Sequence, residues 1–342
     1  MDRIQICAPN PIMAGYEPSA KIPGEAIRYR AYRAGDEARI LELYNAVFGK
    51  SHTVAEWRWE YRENPRRRLD IVVAEADSGL VSHAAAVPLT MRHDGLEVAA
   101  ARIENVFVHP NFRRRGIFAE TLLRLTNRLA AEAVDFVVTF PNDNSLPAFV
   151  QGGEYLHVCD IASMALPLAG LRSGPVECSL EIEDVPAFRA QDCEFAARQL
   201  ADFAIYTERS LEYLRWRYHR NSGRAYRVLR IIRGGEQVGL AVAKAYAAGG
   251  SLDLVEFLLV PEAALMSAAL RALAENFGAQ RLERVALWSM PHYPLHDSLL
   301  DLGFTPESRA THVVCKAFSA RCSRRGSRPE AYYLAMGDSD VY

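Results

Sequence analysis

The 342-residue sequence has no apolar run of about 18 residues, the length a membrane-crossing helix needs. Its opening stretch, Met1 to Gly24, is polar and proline-rich and lacks the apolar segment of a secretory signal. The 6 cysteines (Cys7, Cys159, Cys178, Cys193, Cys315 and Cys322) include no CxxC pair. A zinc site or disulfide framework is therefore not expected, and the usage suits a reducing cytoplasm. Net charge is also scarce: 40 Lys+Arg against 42 Asp+Glu leaves −2. The chain as a whole predicts neither nucleic acid nor an anionic membrane as partner. What is present is an ordinary globular composition, 50% hydrophobic and 24% charged, in a chain long enough for two domains.

Residues 1–26 read as an irregular extension, because Pro9, Pro11, Pro18 and Pro23 interrupt any helix. Ile27 to Arg33 alternates like a strand, and Ala38 to Phe48 carries apolar residues at helical spacing. Asp70–Ala76 and Leu80–Met91 form strand-like runs around Asp77-Ser78-Gly79, a hairpin signal. Arg92 to Val108 repeats the pattern around His93-Asp94-Gly95. Phe118–Ala131 is an amphipathic helix and Phe136–Phe140 a short apolar strand. Near the end, Tyr332-Tyr333-Leu334-Ala335-Met336 alternates enough to predict a returning strand.

The second half repeats the first. Glu56–Asn64 (EWRWEYREN) aligns with Tyr213–Asn221 (YLRWRYHRN), matching at Arg58/Arg215, Trp59/Trp216, Tyr61/Tyr218 and Asn64/Asn221. The offset, 216 − 59 = 157, recurs for the hairpin valines Val81 and Val238. The later turns His109-Pro110 and Val260-Pro261 keep an offset of 151. A fixed offset over separate features points to two copies of one α/β unit, residues 27–168 and 169–342. Trp57, Trp59, Trp216 and Tyr218 read as core aromatics at helical spacing.

The chemistry concentrates in Glu104-Asn-Val-Phe-Val108-His-Pro-Asn-Phe-Arg113-Arg-Arg-Gly116-Ile-Phe-Ala119. It reads strand, turn, Arg/Gly loop, helix. Free N–H groups at the helix start, three arginines and a glycine that admits close approach all favour a phosphate or pyrophosphate. The pattern is neither GxxxxGK[ST] nor GxGxxG. A solvated basic helix start is the alternative.

This segment resembles motif A of the GNAT superfamily of acyl-CoA-dependent N-acyltransferases, a strand ending Val-x-Pro followed by [Q/R]-x-x-G-x-[G/A] and a helix. The one departure is Phe118, where Gly or Ala is usual. Trp57-x-Trp59, Arg115-Gly-Ile-Phe118, Phe140-Pro-Asn142-x-Asn144-Ser145 and Gly337-Asp-Ser-Asp340 further resemble bacterial tandem-GNAT proteins, some of which acylate nucleotide-linked amino sugars. The resemblance implies an α/β fold of two tandem domains, each a mixed sheet flanked by helices.

It also implies roles. Backbone groups of Val106, Phe107 and Val108 would pair with the pantetheine arm of acyl-CoA, and one N–H would hold the thioester oxygen. Arg113, Arg114, Arg115, Gly116, Ile117, Phe118 and Ala119 would cradle the pyrophosphate. Glu104 would be the general base, directly or through water; by strand alternation it shares a face with Val106 and Val108. An ion pair with Arg102 is the alternative for it. Tyr155 is the nearest candidate acid; a water or unassisted thiolate departure are the others. Asn142 and Asn144 would contact the CoA arm or cap a helix.

The second copy has neither Arg nor Gly in Val260–Ala268 and carries Glu262, so it is expected not to bind CoA but to complete the acceptor pocket. His292, Tyr293 and His296, after its last inner strand, are candidate acceptor contacts. Asp338 and Asp340 would touch an amine or lie in a solvated turn. The expected partners are acyl-CoA and a small-molecule amine, first a nucleotide-linked amino sugar, with no metal. Amine antibiotics, polyamines and peptides are the alternative acceptors, and a non-catalytic acyl-CoA sensor is the alternative of another class. Monomer and homodimer both fit the duplication.

Overall fold

The structure, a computed structural model, describes residues 25–171, 178–220, 225–246, 250–278, 282–322 and 326–340. Cys7 and nearly all of the expected extension 1–26 lie outside them.

The first half runs β1 (Arg28–Ala31), α1 (Glu37–Phe48), α2 (Val54–Trp57), a π-turn at Arg58–Arg62, β2 (Asp70–Ala76), β3 (Gly79–His93), β4 (Leu96–Val108), α3 (Ile117–Ala131), β5 (Phe136–Thr139), a π-turn at Ala148–Gly152 and β6 (Leu156–Pro167). The second runs α4 (Leu168–Leu171), β7 (Glu181–Asp184), α5 (Ala190–Leu200), β8 (Ile205–Thr207), α6 (Leu211–Leu214), a π-turn at Arg215–His219, β9 (Arg227–Arg233), β10 (Glu236–Tyr246), β11 (Ser251–Leu259), α7 (Ala263–Asn276), β12 (Arg284–Trp288), α8 (His296–Asp301) and β13 (Thr305–Ala317). Both hairpin signals hold: Ala76 pairs with Gly79, and His93 with Leu96 across Asp94 and Gly95, whose φ of 51° and 77° are left-handed.

All these strands form one mixed sheet, ordered β1-β2-β3-β4-β5-β13-β6-β12-β11-β10-β9-β7, with β8 added to the end of β3. The centre of that order crosses between the halves three times. β13 of the second half lies against β5 of the first, and β6 of the first lies against β12 of the second. The two exchanged strands pair with each other, Cys159 opposite Val313. Neither half therefore completes its sheet without a strand from the other.

The repeated Trp positions meet at the pseudo-twofold. Trp59 Nε1 donates to Trp216 O and Trp216 Nε1 to Trp59 O, both at 2.8 Å, and the rings stack at 5.2 Å. Trp57, Trp59, Trp216 and Tyr218 are all buried, as expected. α1 and α2 cover the face bearing Ile71, Val73, Ala85 and Phe107; α3 covers the opposite face with Val72, Ala84, Ala101 and Ile103.

The tail departs from expectation. Tyr332–Met336 is buried but forms no strand, making one bridge, Tyr332 to Ile205, between 3-10 turns at Pro329–Ala331 and Met336–Asp338. Side chains satisfy its backbone instead. Tyr293 Oη accepts from Leu334 N and donates to Leu334 O, and Asp338 Oδ2 accepts from Ala335 N. With those partners supplied, a ladder is not needed. A Cβ at Gly337 would stand 2.0 Å from Tyr218 Oη, so only glycine lets the tail pass there. Among the described residues no helix is long and apolar enough to cross a membrane.

Candidate active site

The Arg/Gly loop follows β4 through a 3-10 turn at Pro110–Phe112. Arg114 (φ 60°) and Gly116 (φ 75°) both adopt left-handed backbone, and Gly116 is the N-cap of α3. Nothing lies within 4 Å of where a Gly116 Cβ would be, so the space beside the helix start is open. Arg113, Arg114 and Arg115 are exposed. Arg113 Nε donates to Val108 O at 3.3 Å, and Arg115 lies over the Phe112 ring at 5.2 Å. These contacts hold the guanidinium stems beside the helix start. Phe118 turns inward, edge-on to Phe149 at 6.3 Å, so its bulk packs under α3.

β4 pairs in parallel with β5 only over Ala100–Arg102, so its edge parts from β5 beyond that point. On its other edge, against β3, the register slips: Ala85 faces Glu104, but His83 faces Phe107. The extra residue is a β-bulge centred on Asn105, held at φ 52°. This corrects the expected alternation. Glu104 shares its face with Phe107, while Val106 and Val108 turn to the α3 side. Phe107 O already accepts from Ser82 Oγ at 2.9 Å, inside the sheet.

Glu104 is buried and paired with Arg102, whose Nε and Nη2 donate to Oε2 at 2.8 and 2.6 Å. Burial pushes its carboxyl well above the usual range; Arg102 opposes the rise, and the carboxylates of Glu60 and Asp340 add to it. Arg102 also donates to Asp338 O in the tail. The bulge gathers residues that strand periodicity did not single out. Asn105 Nδ2 donates to Tyr61 Oη at 2.7 Å and Glu60 Oε2 at 3.3 Å, and Asn105 O meets His83 Nδ1 at 2.7 Å. Burial drives the His83 imidazole down to about 4, so it is neutral at pH 7. The only sequence signal for this cluster was Glu60-Tyr61 inside the repeated segment.

Tyr155 and Glu104 are not brought together. Tyr155 lies in the layer under α3, its hydroxyl 2.8 Å from Thr126 Oγ1, and burial raises its pKa further from neutrality. That arrangement presents no proton to the β4–β5 cleft. Asn142 uses Oδ1 to accept from Asn144 N and Ser145 N at 3.0 and 3.1 Å, a local turn; Asn144 is exposed.

In the second half the same frame reappears with other chemistry. β11 pairs with β12 only over Ser251–Asp253 and then diverges. The divergence opens into a cavity of about 260 Å³ lined by Leu254, Leu258, Met266, Leu287, Trp288 and Tyr333, with Arg198 and Asp202 also in its wall. At the position of the Arg/Gly loop, Glu262 pairs with Arg233 at 2.7 and 3.0 Å. Tyr293 lines this cavity, with its hydroxyl committed to Leu334. His292 Nε2 meets Tyr332 O at 2.8 Å, and His296 Nδ1 meets Ser289 Oγ at 3.0 Å. Asp338 is buried against Arg209, Nη1–Oδ1 2.9 Å and Nη2–Oδ2 2.8 Å, which removes the solvated-turn reading for it.

A parted β4–β5 edge leading into an anion-competent helix start is the frame of an acyl-CoA-dependent transferase. Residues 28–151 match the family model described as an acetyltransferase (GNAT) domain. Solved structures share the fold across both halves. A "probable N-acyltransferase" from Enterococcus faecalis V583 superposes with a TM-score of 0.66 at 14% identity, covering 86% of this chain and 73% of that one. A GCN5-related N-acetyltransferase from Anabaena variabilis gives the same values. The N-myristoyltransferase of Saccharomyces cerevisiae with bound myristoyl-CoA gives 0.57 at 11% identity, covering 88% and 86%. At these identities the likeness is one of fold. No curated protein matches the sequence.

Proposed function

We propose that the chain moves an acyl group from acyl-CoA to a primary amine of a small molecule, by direct attack in a ternary complex. The carrying observation is the exposed Arg113–Gly116 loop, capping α3 beside the open edge of β4. Residues 27–168 would bind the donor: Arg113 to Ala119 hold the pyrophosphate, and the Val106–Val108 backbone lines the pantetheine arm. Residues 169–342, as a tandem GNAT-like unit, would complete the acceptor site.

Glu104 is the proton acceptor of this reading. A carboxylate whose pKa is lifted by burial holds a proton better than an ordinary one, as removing an ammonium proton near neutral pH requires. Its side chain is sealed behind the bulge, so the proton reaches it through a water. Thiolate departure then needs a water or no acid. The acceptor assigned first is a nucleotide-linked amino sugar. Aromatic walls at Trp288 and Tyr333 suit a planar base, and Arg198 suits a phosphate. A strongly acidic lining, which a polyamine or cationic antibiotic would call for, is not what this cavity offers.

Thermal unfolding with CoA, acetyl-CoA and longer acyl-CoAs tests the donor site. A ligand at 100 times its Kd stabilises by about 2.7 kcal/mol. The shift is expected in the native protein and lost in Arg113→Ala/Arg115→Ala and in Gly116→Trp. Its persistence in those variants refutes the assignment. Turnover of any acyl-CoA with any amine removes the sensor reading, and a screen of amino sugars, polyamines and peptides then ranks acceptors.

A further inference from the structure

The two exchanged strands carry a second constellation. His157 and Asp160 on β6 and His312 on β13 point His157 Nε2, Asp160 Oδ1 and His312 Nδ1 at one another, all within 4.8 Å. Asp160 Oδ1 stands 2.8 Å from His157 Nε2 and 2.7 Å from His312 Nδ1. The other face of the His312 ring is fixed: its Nε2 lies 2.8 Å from Asp143 Oδ1, in the loop after β5. A carboxylate on the far nitrogen of a histidine is the usual device that orients a metal-bound imidazole and sets its tautomer. His312 holds both ring nitrogens against carboxylates, which raises its pKa, and a cation between Nδ1 and Asp160 would take the place of the Nδ1 proton.

We propose that His157, Asp160 and His312 bind a divalent transition-metal ion, with Zn²⁺ the best match, and that Asp143 orients His312 from behind. Two imidazoles and one carboxylate suit Zn²⁺, Co²⁺ or Ni²⁺ and not Mg²⁺ or Ca²⁺, which take oxygen donors. At about 2.0–2.2 Å from the metal, tetrahedral donors stand roughly 3.3 Å apart, so the ring nitrogens and Asp160 must open by about half an ångström. His157 and Asp160 are 38% and 47% exposed at the side chain, which leaves them free to do so and admits the ion. Solvent would complete the coordination. The ion would clasp β6 to β13 and hold the Asp143 loop to both, a staple where the two halves interchange strands. The cysteine spacing that spoke against zinc has no bearing on a site built from side chains 152 residues apart.

The test uses tag-free full-length protein stripped with chelator, then titrated with CoCl2 and ZnCl2. One equivalent of Co²⁺ is expected to give visible d–d absorption that Zn²⁺ abolishes, and Zn²⁺ to raise Tm by several degrees. His157→Ala and His312→Ala should each weaken binding at least 100-fold. Asp143→Asn should weaken it about 10–100-fold, as loss of an orienting partner does. Far-UV circular dichroism checks that each variant folds; should His312→Ala fail, the more exposed His157→Ala decides. No absorption and no Tm shift in the native protein would overturn the proposal. So would binding that survives both histidine variants and vanishes in Cys159→Ser, which would place the ion on a thiol.

Discussion

Arg209 is a buried charge of the seam bonded to two carboxylates, and Arg209→Met tests whether charge compensation holds the tail. Its guanidinium gives Nε to Glu256 at 3.0 Å, Nη1 and Nη2 to Asp338 at 2.9 and 2.8 Å, and Nη1 to Thr207 O at 2.8 Å. Both carboxylates are almost fully buried. Methionine fills the space but leaves two acidic groups facing each other, with Tyr333 Oη and, at 3.4 Å, Tyr218 Oη as donors to Glu256 and Ala335 N as donor to Asp338. Removing one partner of a buried pair costs about 3–5 kcal/mol. With an unfolding entropy near 2.1 cal/mol/K per residue over 342 residues, or roughly 720 cal/mol/K, that lowers Tm by about 4–7 °C.

The loss should depend on pH. Burial already raises the Glu256 carboxyl against the pull of Arg209, and without Arg209 it rises further. A carboxyl whose folded pKa exceeds its unfolded value of about 4.3 binds more protons folded than unfolded above that pH, so stability falls as pH rises through the interval. The deficit of the variant should therefore be smaller at pH 5 than at pH 7.5, measured by urea unfolding at both. A deficit under about 1 kcal/mol at pH 7.5, or one equal at the two pH values, would refute the charge-compensation argument.

Trp59→Ala and Trp216→Ala should each cost about 3–5 kcal/mol, and the double variant clearly less than their sum, because each removes the other's stacking and hydrogen-bond partner; additivity in chemical denaturation would contradict the reciprocal contact. Gly337→Ala should cost about 1–3 kcal/mol, since its methyl meets Tyr218 Oη, and the companion change Tyr218→Phe should recover part of it. Arg113→Ala/Arg115→Ala should raise KM for acyl-CoA about 10²–10⁴-fold, from hydrogen bonds to charged groups worth about 1.5–3 kcal/mol each, with kcat far less affected. Glu104→Gln should lower kcat about 10²–10⁴-fold while acyl-CoA still shifts Tm. An unchanged kcat would return Glu104 to the role of a partner for Arg102.

Local chemistry was legible in the sequence wherever neighbours in the chain decide it. Asp77-Ser78-Gly79 and His93-Asp94-Gly95 fix their hairpins because the turn residues tolerate the φ values the turns require. The 157-residue offset located the Trp pair, although not that each ring bonds the other's backbone. The bulge at Asn105 was hidden, because period-two alternation carries no mark of an inserted residue. It reversed the face assigned to Val106 and Val108 while leaving Glu104 toward α1 and α2. The tail read as a strand because alternation reports burial of every second side chain. It does not report who satisfies the backbone, and here Tyr293 and Asp338 do so. Contacts such as His312 with Asp160 depend on which strand fills the slot beside β5, a long-range choice that no window along the chain contains.

That slot also explains how the second half can lack an Arg/Gly loop and keep the same architecture. β5 has β13 as its outer neighbour, and Trp59 has Trp216 as its acceptor, so the first half depends on the second for a strand and for the contents of its core. Those demands fall on β12, β13 and the Arg215–His219 turn. They place none on the turn before α7, where Glu262 answers Arg233 as an ordinary surface ion pair. A half tied down at its seam and free at its far loop can carry an acidic turn there at little cost to folding, since exposed ion pairs contribute little to stability. The divergence of β11 from β12 survives because it follows from the register at Ser251–Asp253, set in the sheet rather than in the loop. The cavity it leaves is thus set by the sheet, and its lining, with Leu254, Leu258 and Trp288, decides what can fill it.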